Sequence, residues 1–418
     1  MPGTSPPTAA TVLRSLVMPI YLPALAVQTG TAMLLPILPL YLRSIELSYS
    51  SIAWVLAAAG VGAMVAQLPF GHLLARRPEQ VVMLASVAVM AATTGVFGWI
   101  EITAVLLIAR LLWGVGSTGW LLSRQTVMTR ATSSSVRGRA MSLFGGTTRL
   151  GFFIGPVLGG FAVEALGYPA AFLAAGLVTA LGMLPLLTSR QPLPSTVSPA
   201  TSETERNDLE VPDAVEDPIE RTSHWPILVP MGIAQILVIA ARQGRQIVIP
   251  LIGEGLGLDP GDIGLLVGIG TFTDFLLFPI AGYVMDRFGR LAAVVPAFSL
   301  VGIGLIWLAT VDTYAGVAGA AALIGVGNSF GSGTMLTLSS DIAPPQATSQ
   351  FLGTLGAIRD FGKIVGPIVV GVLADTFGLG ASSAALGVGS FIAVAIFVFG
   401  VGETSQHRAP KTTPRPVA

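Results

Sequence analysis

An all-α membrane protein of twelve transmembrane helices, arranged as two pseudo-symmetric six-helix halves, is the fold class that this 418-residue sequence predicts. Three observations predict it. Hydrophobic residues make up 52% of the chain against 11% charged, with a mean hydropathy of +0.77, which is too little charge to cover a soluble surface of this length. Twelve apolar runs reach the length of about 20 residues that a bilayer core demands. A set of glycine, proline and charged positions recurs at one constant offset, 211 residues (Pro39 to Pro250), through both halves.

The runs span 16–42, 51–75, 80–99, 103–123, 138–166, 170–187, 226–252, 262–285, 291–310, 314–338, 349–377 and 381–401. The first follows Arg14 and is roughly double a signal-peptide core, so it reads as a retained helix. Between Thr188 and Trp225 the apolar pattern gives way to Pro, Ser, Thr and acidic residues, a composition unable to bury a core. The expected organisation is an N-terminal segment at 1–15, a first half at 16–188, an acidic linker at 189–225, a second half at 226–402 and a tail at 403–418. With both termini in the cytoplasm, the cytoplasmic loops carry Arg76, Arg77, Arg130, Arg137, Arg139, Arg190, Arg287 and Arg290, and the outer loops only Arg43. This Lys/Arg bias predicts a multi-pass inner (plasma) membrane protein with N- and C-termini inside.

The repeat needs no gap. Gly71 matches Gly282, Arg76 matches Arg287, Gly114-Val115-Gly116 matches Gly325-Val326-Gly327, and Gly155-Pro156 matches Gly366-Pro367. The 50 glycines lie within apolar runs, as close helix packing in lipid requires. No cysteine and only three histidines occur, so no disulfide framework and no zinc or haem site is expected. The zero net charge does not point to nucleic acid.

Between runs eight and nine stands Gly282-Tyr283-Val284-Met285-Asp286-Arg287-Phe288-Gly289-Arg290. A glycine there lets two helices approach, a carboxylate can sit on a helix N-terminus, and basic residues can bridge to a neighbouring helix end. This run resembles the loop signature G-x-x-x-D-R-x-G-R of the major facilitator superfamily, which the chain resembles over about residues 16–402. The first-half copy is degraded, with Ala75 in place of the carboxylate and Pro78 in place of glycine. Asp341 is a plausible partner for Arg287, whereas Arg130 occupies the corresponding position in the first half, so Arg76 has no matching acid there. The expected gate is Gly71, Arg76, Gly282, Asp286, Arg287, Gly289, Arg290 and Asp341, with Asp286, Arg287 and Asp341 carrying the lock.

Run five holds Gly151, Gly155, Pro156, Gly159 and Gly160, similar to the G-x-x-x-G-P-x-x-G-G element of the superfamily's exporters, and run eleven echoes it in Gly362, Gly366 and Pro367. Proline removes a backbone donor and glycine exposes the backbone, so the element is expected to bend and pack. The resemblance links it to antiport; close packing without directional consequence is the alternative. Run four holds Arg110, Trp113, Gly114 and Gly116 in the pattern R-x-x-x-G-x-G, whose arginine the resemblance assigns to proton transfer.

Charges inside a bilayer need a partner, a wet cavity or a use. The candidates are Arg110, Arg149, Arg242, Arg245, Asp274, Arg359, Asp360 and Lys363. Gln235, Arg242 and Gln246 share one helical face with Arg245 beside it. Because runs one and seven line the cavity in the superfamily, this stripe is the expected substrate surface, together with Gln28 and with Trp113 as a further contact. The alternative is that the arginines pair with Asp274 or snorkel. Asp274 is the leading proton-coupling carboxylate and Asp360 the second, although Arg359 and Lys363 beside it equally suggest a structural ion pair. The resulting expectation is a secondary active transporter, not an enzyme, exporting small amphipathic compounds against protons. No cofactor is expected, and the partners are the solute, protons and the lipid bilayer, with the protein a monomer. An organic-anion transporter, including an uptake symporter, is the alternative, and a non-transporting receptor a third.

Overall fold

A polypeptide in lipid has no water to satisfy its backbone, so an apolar chain without strand patterning closes its hydrogen bonds within helices. The computed structural model of the chain describes residues 15–131, 134–188, 225–331, 333–343 and 348–404. The expected N-terminal segment, acidic linker and tail lie outside the described residues except at their ends. Twelve membrane-length or near-membrane-length helices occur among the described residues. In the first half these are α1 (Val17–Ser44), α2 (Tyr49–Leu74), α3 (Glu79–Gly95, extended by a 3-10 turn at Phe97–Trp99), α4 (Thr103–Ala131), α5 (134–166) and α6 (168–188). In the second they are α7 (Trp225–Gly255), α8 (Pro260–Phe288), α9 (Arg290–Leu308), α10 (Tyr314–Phe330, resuming as Thr334–Ile342), α11 (348–377) and α12 (379–401).

The repeat survives in the backbone. The sole non-helical residue inside the α5–α6 run is Gly167, at φ 77°, and inside the α11–α12 run it is Gly378, at φ 86°, 211 positions on (167 to 378). Only glycine takes this conformation without a steric penalty, which is why each pair of helices turns on a single residue. The turns after α1 and α7 match in the same way, through Glu46 at φ 60° and Gly257 at φ 71°. The halves diverge in the fourth helix of each. α4 runs unbroken to Ala131, beyond the apolar pattern that ended at 123, whereas α10 breaks at Gly331 to Gly333, the latter at φ 83°.

The chain clusters into two compact units, Met1–His224 with Pro250–Gly268 and Trp225–Ile249 with Ile269–Ala418. The C-terminal end of α7 and the N-terminal end of α8 therefore go with the first unit. In that unit Tyr41 packs against Phe97, Tyr168 and Phe172 at ring-centroid distances of 6.2, 5.5 and 5.2 Å, and its hydroxyl donates to the Ile100 carbonyl at 2.9 Å. The second unit is centred on Phe298 stacked on Phe397 at 6.0 Å, with Val238, Met335 and Leu355 around them. Leu68, Phe377 and Phe399 are 77, 75 and 88% exposed, an outward display that suits lipid.

Glycine seams join the helices inside each unit. A Cβ on Gly155 would stand 2.6 Å from the Thr29 carbonyl oxygen, and one on Gly366 2.6 Å from that of Ala240, its repeat equivalent (29 to 240). Gly151 and Gly159 continue the first seam against Gln28 and Met33, so the spacing of four puts three glycines on the face that α5 turns to α1. Gly160 points elsewhere, against Pro260 and Gly264 of the first unit. Backbone dihedrals stay helical through Pro156 and Pro367, and close packing is what this element does in the structure. We expect Gly155→Val to destabilise the protein by about 1–3 kcal/mol through overpacking. Gly353→Val, with nothing within 4 Å of its Cβ position, should be near neutral; thermal unfolding of the purified proteins in detergent checks both.

Candidate functional site

In the second unit α8 and α10 cross closely at Gly270 and Gly325. A Cβ on Gly325 would collide with Thr273 and with the Gly270 carbonyl, and Thr273 itself donates to the Ala322 carbonyl at 3.2 Å. That approach brings Asn328, one residue beyond Gly325-Val326-Gly327, onto Asp274, with Asn328 Nδ2 donating to Asp274 Oδ2 at 2.5 Å. Asp274 lies well inside α8 and is partly buried, and Asn328 is 8% exposed. From α7, Arg245 lies close enough for the charge of Asp274 to act on it. The result is a carboxylate well inside α8 that accepts from an amide and has a guanidinium within electrostatic reach.

The rest of the α7 stripe divides. Arg242 lies with its guanidinium carbon 5.9 Å from the Phe298 ring centroid and against Gly331, where α10 breaks. Gln246 is partly buried. Gln235 departs from the expected solute surface: it is 2% exposed, and its Nε2 donates to Ser339 Oγ at 2.9 Å. Helical spacing had placed it on the right face, but a small polar residue across the interface turned it into a buried tie between α7 and α10. On α11, Asp360 is 8% exposed and accepts from Arg359 Nε and Nη2 at 3.2 Å each, with Lys363 Nζ also at 3.2 Å. This is the structural ion-pair arrangement, with one carboxylate held between two cations.

The first unit contributes Arg110, whose guanidinium carbon lies 4.6 Å over the Trp113 ring, in a small pocket bordered by α1, α3, α4 and α6. Trp113 thus serves an arginine inside the first unit. Gln28 is partly buried against Gly151 of α5, and Arg149 reaches back to the Gly145 carbonyl at 3.4 Å. Arg124, 8% exposed, is sandwiched between Trp120 and Phe144 at 5.6 and 4.2 Å.

At the basic end of the second unit, the lock forms differently from the expectation. Arg290, not Arg287, holds Asp341, through Nε to Oδ2 at 2.8 Å, with side chains 10 and 13% exposed. Arg287 instead donates to the Tyr283 hydroxyl at 2.8 Å and is exposed; the Asp286 side chain lies outside the described residues. Gly289, at φ 99°, caps α9, and the Glu403 carboxylate accepts from the backbone N–H groups of Arg290 and Leu291 at 3.0 Å each. An anion at a helix N-terminus meets orphan donors and the positive end of the dipole. Thr404 completes the cluster by donating to Asp341 Oδ2 at 3.2 Å. The expectation that Gly71 and Gly282 permit close approach is overturned, since a Cβ on either would meet nothing within 4 Å. Arg76 is exposed and has no ion pair among the described residues.

The sequence profile described as Major Facilitator Superfamily matches residues 20–230 and again 231–417. The chain belongs to the major facilitator superfamily. Among its relatives, Multidrug resistance protein 1 of Bacillus subtilis (strain 168) is 22% identical over 360 residues, covering 83% of this chain and 86% of that protein. A crystal structure of a POT family transporter in complex with a thioalcohol-conjugated peptide superposes with a TM-score of 0.74 at 14% identity, over 93% of this chain and 95% of that one. A bacterial homolog of the human lysosomal transporter Spinster, inward-facing and occupied, gives a TM-score of 0.72 at 15% identity, over 98% and 100%. Family and fold are those of transporters rather than enzymes.

Within this superfamily member, the two degraded and intact loop copies turn out to share an interaction. Arg130 of α4 pairs with Glu79 of α3, and the 211-residue offset maps Glu79 onto Arg290 and Arg130 onto Asp341. Both halves keep the ion pair with its charges exchanged. The sequence had shown Arg130 opposite Asp341, but not that Glu79 stands opposite Arg290. Asn328 and Glu403 were also missed; the first was signalled only by an amide following the Gly-Val-Gly motif, the second by an acid just past the last apolar run. Asp341→Asn should destabilise the protein by about 3 kcal/mol, the order for removing one partner of a buried pair. Glu79→Gln, whose partner Arg130 is 60% exposed, should cost less than about 1 kcal/mol. Unfolding midpoints of the two variants check the ranking.

Proposed function

We propose that the protein is a proton-coupled exporter of small amphipathic compounds that works by alternating access, with Asp274 as the coupling carboxylate. The observation carrying this reading is the Asp274–Asn328 contact deep in α8 and α10, with Arg245 within reach of its charge. A carboxylate in the membrane interior, away from helix ends, is retained where it serves an ion or substrate path. Its two neighbours suit two states. An amide donor serves the ionised carboxylate and can turn its oxygen to a protonated one, while a guanidinium favours only the ionised form. A shift of Arg245 towards or away from Asp274 then links proton uptake to solute occupancy.

Export is supported by the Gly151-to-Gly160 element and by the multidrug name of the Bacillus relative. The cytoplasmic placement of both termini rests on the Lys/Arg bias, and the protein acts as a monomer in the plasma membrane. Arg242, Arg245 and Gln246 are the proposed solute contacts, and Asp360, bound to two cations, is assigned to structure. A second reading is transport of an organic anion, favoured by the excess of basic residues, Arg242 and Arg245 within α7, over the single acid well inside α8, Asp274.

Everted vesicles test both. With an imposed proton gradient, cationic and neutral amphipathic dyes should accumulate in vesicles bearing the wild type, and Asp274→Asn should reduce this to the level without a gradient while solute exchange persists. A full pH response in Asp274→Asn removes the coupling assignment. Accumulation of small carboxylates alone transfers the reading to the anion transporter.

A further inference from the structure

One arginine of the second-half loop motif is committed to protein, since Arg290 holds Asp341. The other, Arg287, is exposed, as is its repeat equivalent Arg76, and neither makes an ion pair among the described residues. The preceding helix sets where Arg287 stands. Along α8, Phe272, Leu276, Ile280 and Tyr283 are 41, 57, 48 and 57% exposed. Their spacings of four, four and three put them on one face, and Arg287 ends that stripe four residues later. The 211-residue offset carries Leu276, Tyr283 and Arg287 onto Val65, His72 and Arg76 of α2, and all three of these are exposed as well. Gly282, next to Tyr283 in the chain, is exposed with nothing within 4 Å of its Cβ position, so the wall beside the stripe stays open.

The stripe has the length of one leaflet. From Phe272 to Tyr283 the helix rises about 16 Å at about 1.5 Å per residue. Half of a bilayer core about 30 Å thick is about 15 Å. An acyl chain lying along the stripe therefore brings its headgroup to Arg287. There Arg287 Nη1 donates to the Tyr283 hydroxyl at 2.8 Å, and its guanidinium carbon stands 5.8 Å from the ring centroids of both Tyr283 and Phe288. These contacts steady the side chain while engaging one of its N–H donors. The Tyr283 hydroxyl accepts from the arginine and keeps its own proton to give. A phosphate accepts from both groups, and the fixed positive charge favours a lipid of net negative charge over a zwitterionic one.

We propose that the α8 stripe and Arg287 form a binding site for one anionic phospholipid, with an acyl chain along Leu276 and Ile280 and the phosphate between Arg287 and the Tyr283 hydroxyl. The motif's two arginines then have separate tasks: Arg290 locks helices together and Arg287 addresses the membrane. The site is apart from Asp274, and its failure would leave the coupling assignment untouched. Native mass spectrometry of the purified protein, released from detergent after titration with phosphatidylglycerol, tests it. The wild type should retain phosphatidylglycerol and shed phosphatidylcholine at equal concentration. Arg287→Gln should retain one phosphatidylglycerol fewer than the wild type, and Tyr283→Phe should raise that lipid's half-saturation concentration about fivefold, the order for one hydrogen bond. Arg139→Gln, which removes an exposed charge from α5, should leave the number of bound lipids unchanged.

If Arg287→Gln does not fold, Tyr283→Phe and Arg287→Lys, which keeps the charge but loses the paired donors, carry the measurement. Weaker retention in both supports the site, and retention unchanged in either overturns it. An equal loss in Arg139→Gln would reduce the effect to diffuse surface charge and overturn the site. Equal retention of phosphatidylcholine would do the same. Displacement of the lipid by inorganic phosphate would assign Arg287 to a free anion, and a lipid-free dimer would assign the stripe to a second copy of the chain; either result overturns the proposal.

Discussion

Backbone-to-backbone contact between helices, made possible where glycine removes the Cβ, is the constraint on which the other features rest. Lipid gives two apolar helices no hydrophobic reason to associate, so close approach and dispersion carry much of the packing. The seams at Gly155 and Gly366 fix α5 on α1 and α11 on α7, and the Gly325 crossing fixes α10 on α8. Asp274 meets Asn328 where that last crossing brings the two helices close together.

The legible part of the fold was the part that depends on one-dimensional signals. Bilayer thickness sets run length and the repeat sets register, so helix starts agree with the apolar pattern to within two residues at every helix but α5, which starts four residues before its run. What the pattern does not encode is the partner across an interface. Gln235 and Arg242 share a face by spacing, yet one finds Ser339 and the other an aromatic ring and a helix break. Asp341 takes Arg290 over Arg287, although both basic residues belong to the same loop motif. Three residues of separation turn a side chain through most of a helical turn, and Gly289 changes the chain direction between the two.

The motif glycines make the same point from the other side. Gly289 is required twice, by its φ of 99° and by the Glu403 carboxylate that would lie 2.9 Å from a Cβ. Gly71 and Gly282 belong to the same motif copies and meet open space. A shared pattern therefore identifies a family without assigning one physical task to every position in it.

The exchanged charges of the two basic-end ion pairs have a consequence for assembly. Because α3 and α9 descend from one repeat, as do α4 and α10, the nascent chain presents two nearly equivalent partners for each helix. Were α3 to settle on α10, Glu79 would face Asp341; were α9 to settle on α4, Arg290 would face Arg130. Opposite polarity in the two halves thus sets like charge against like in either crossed pairing and opposite charge in each correct one.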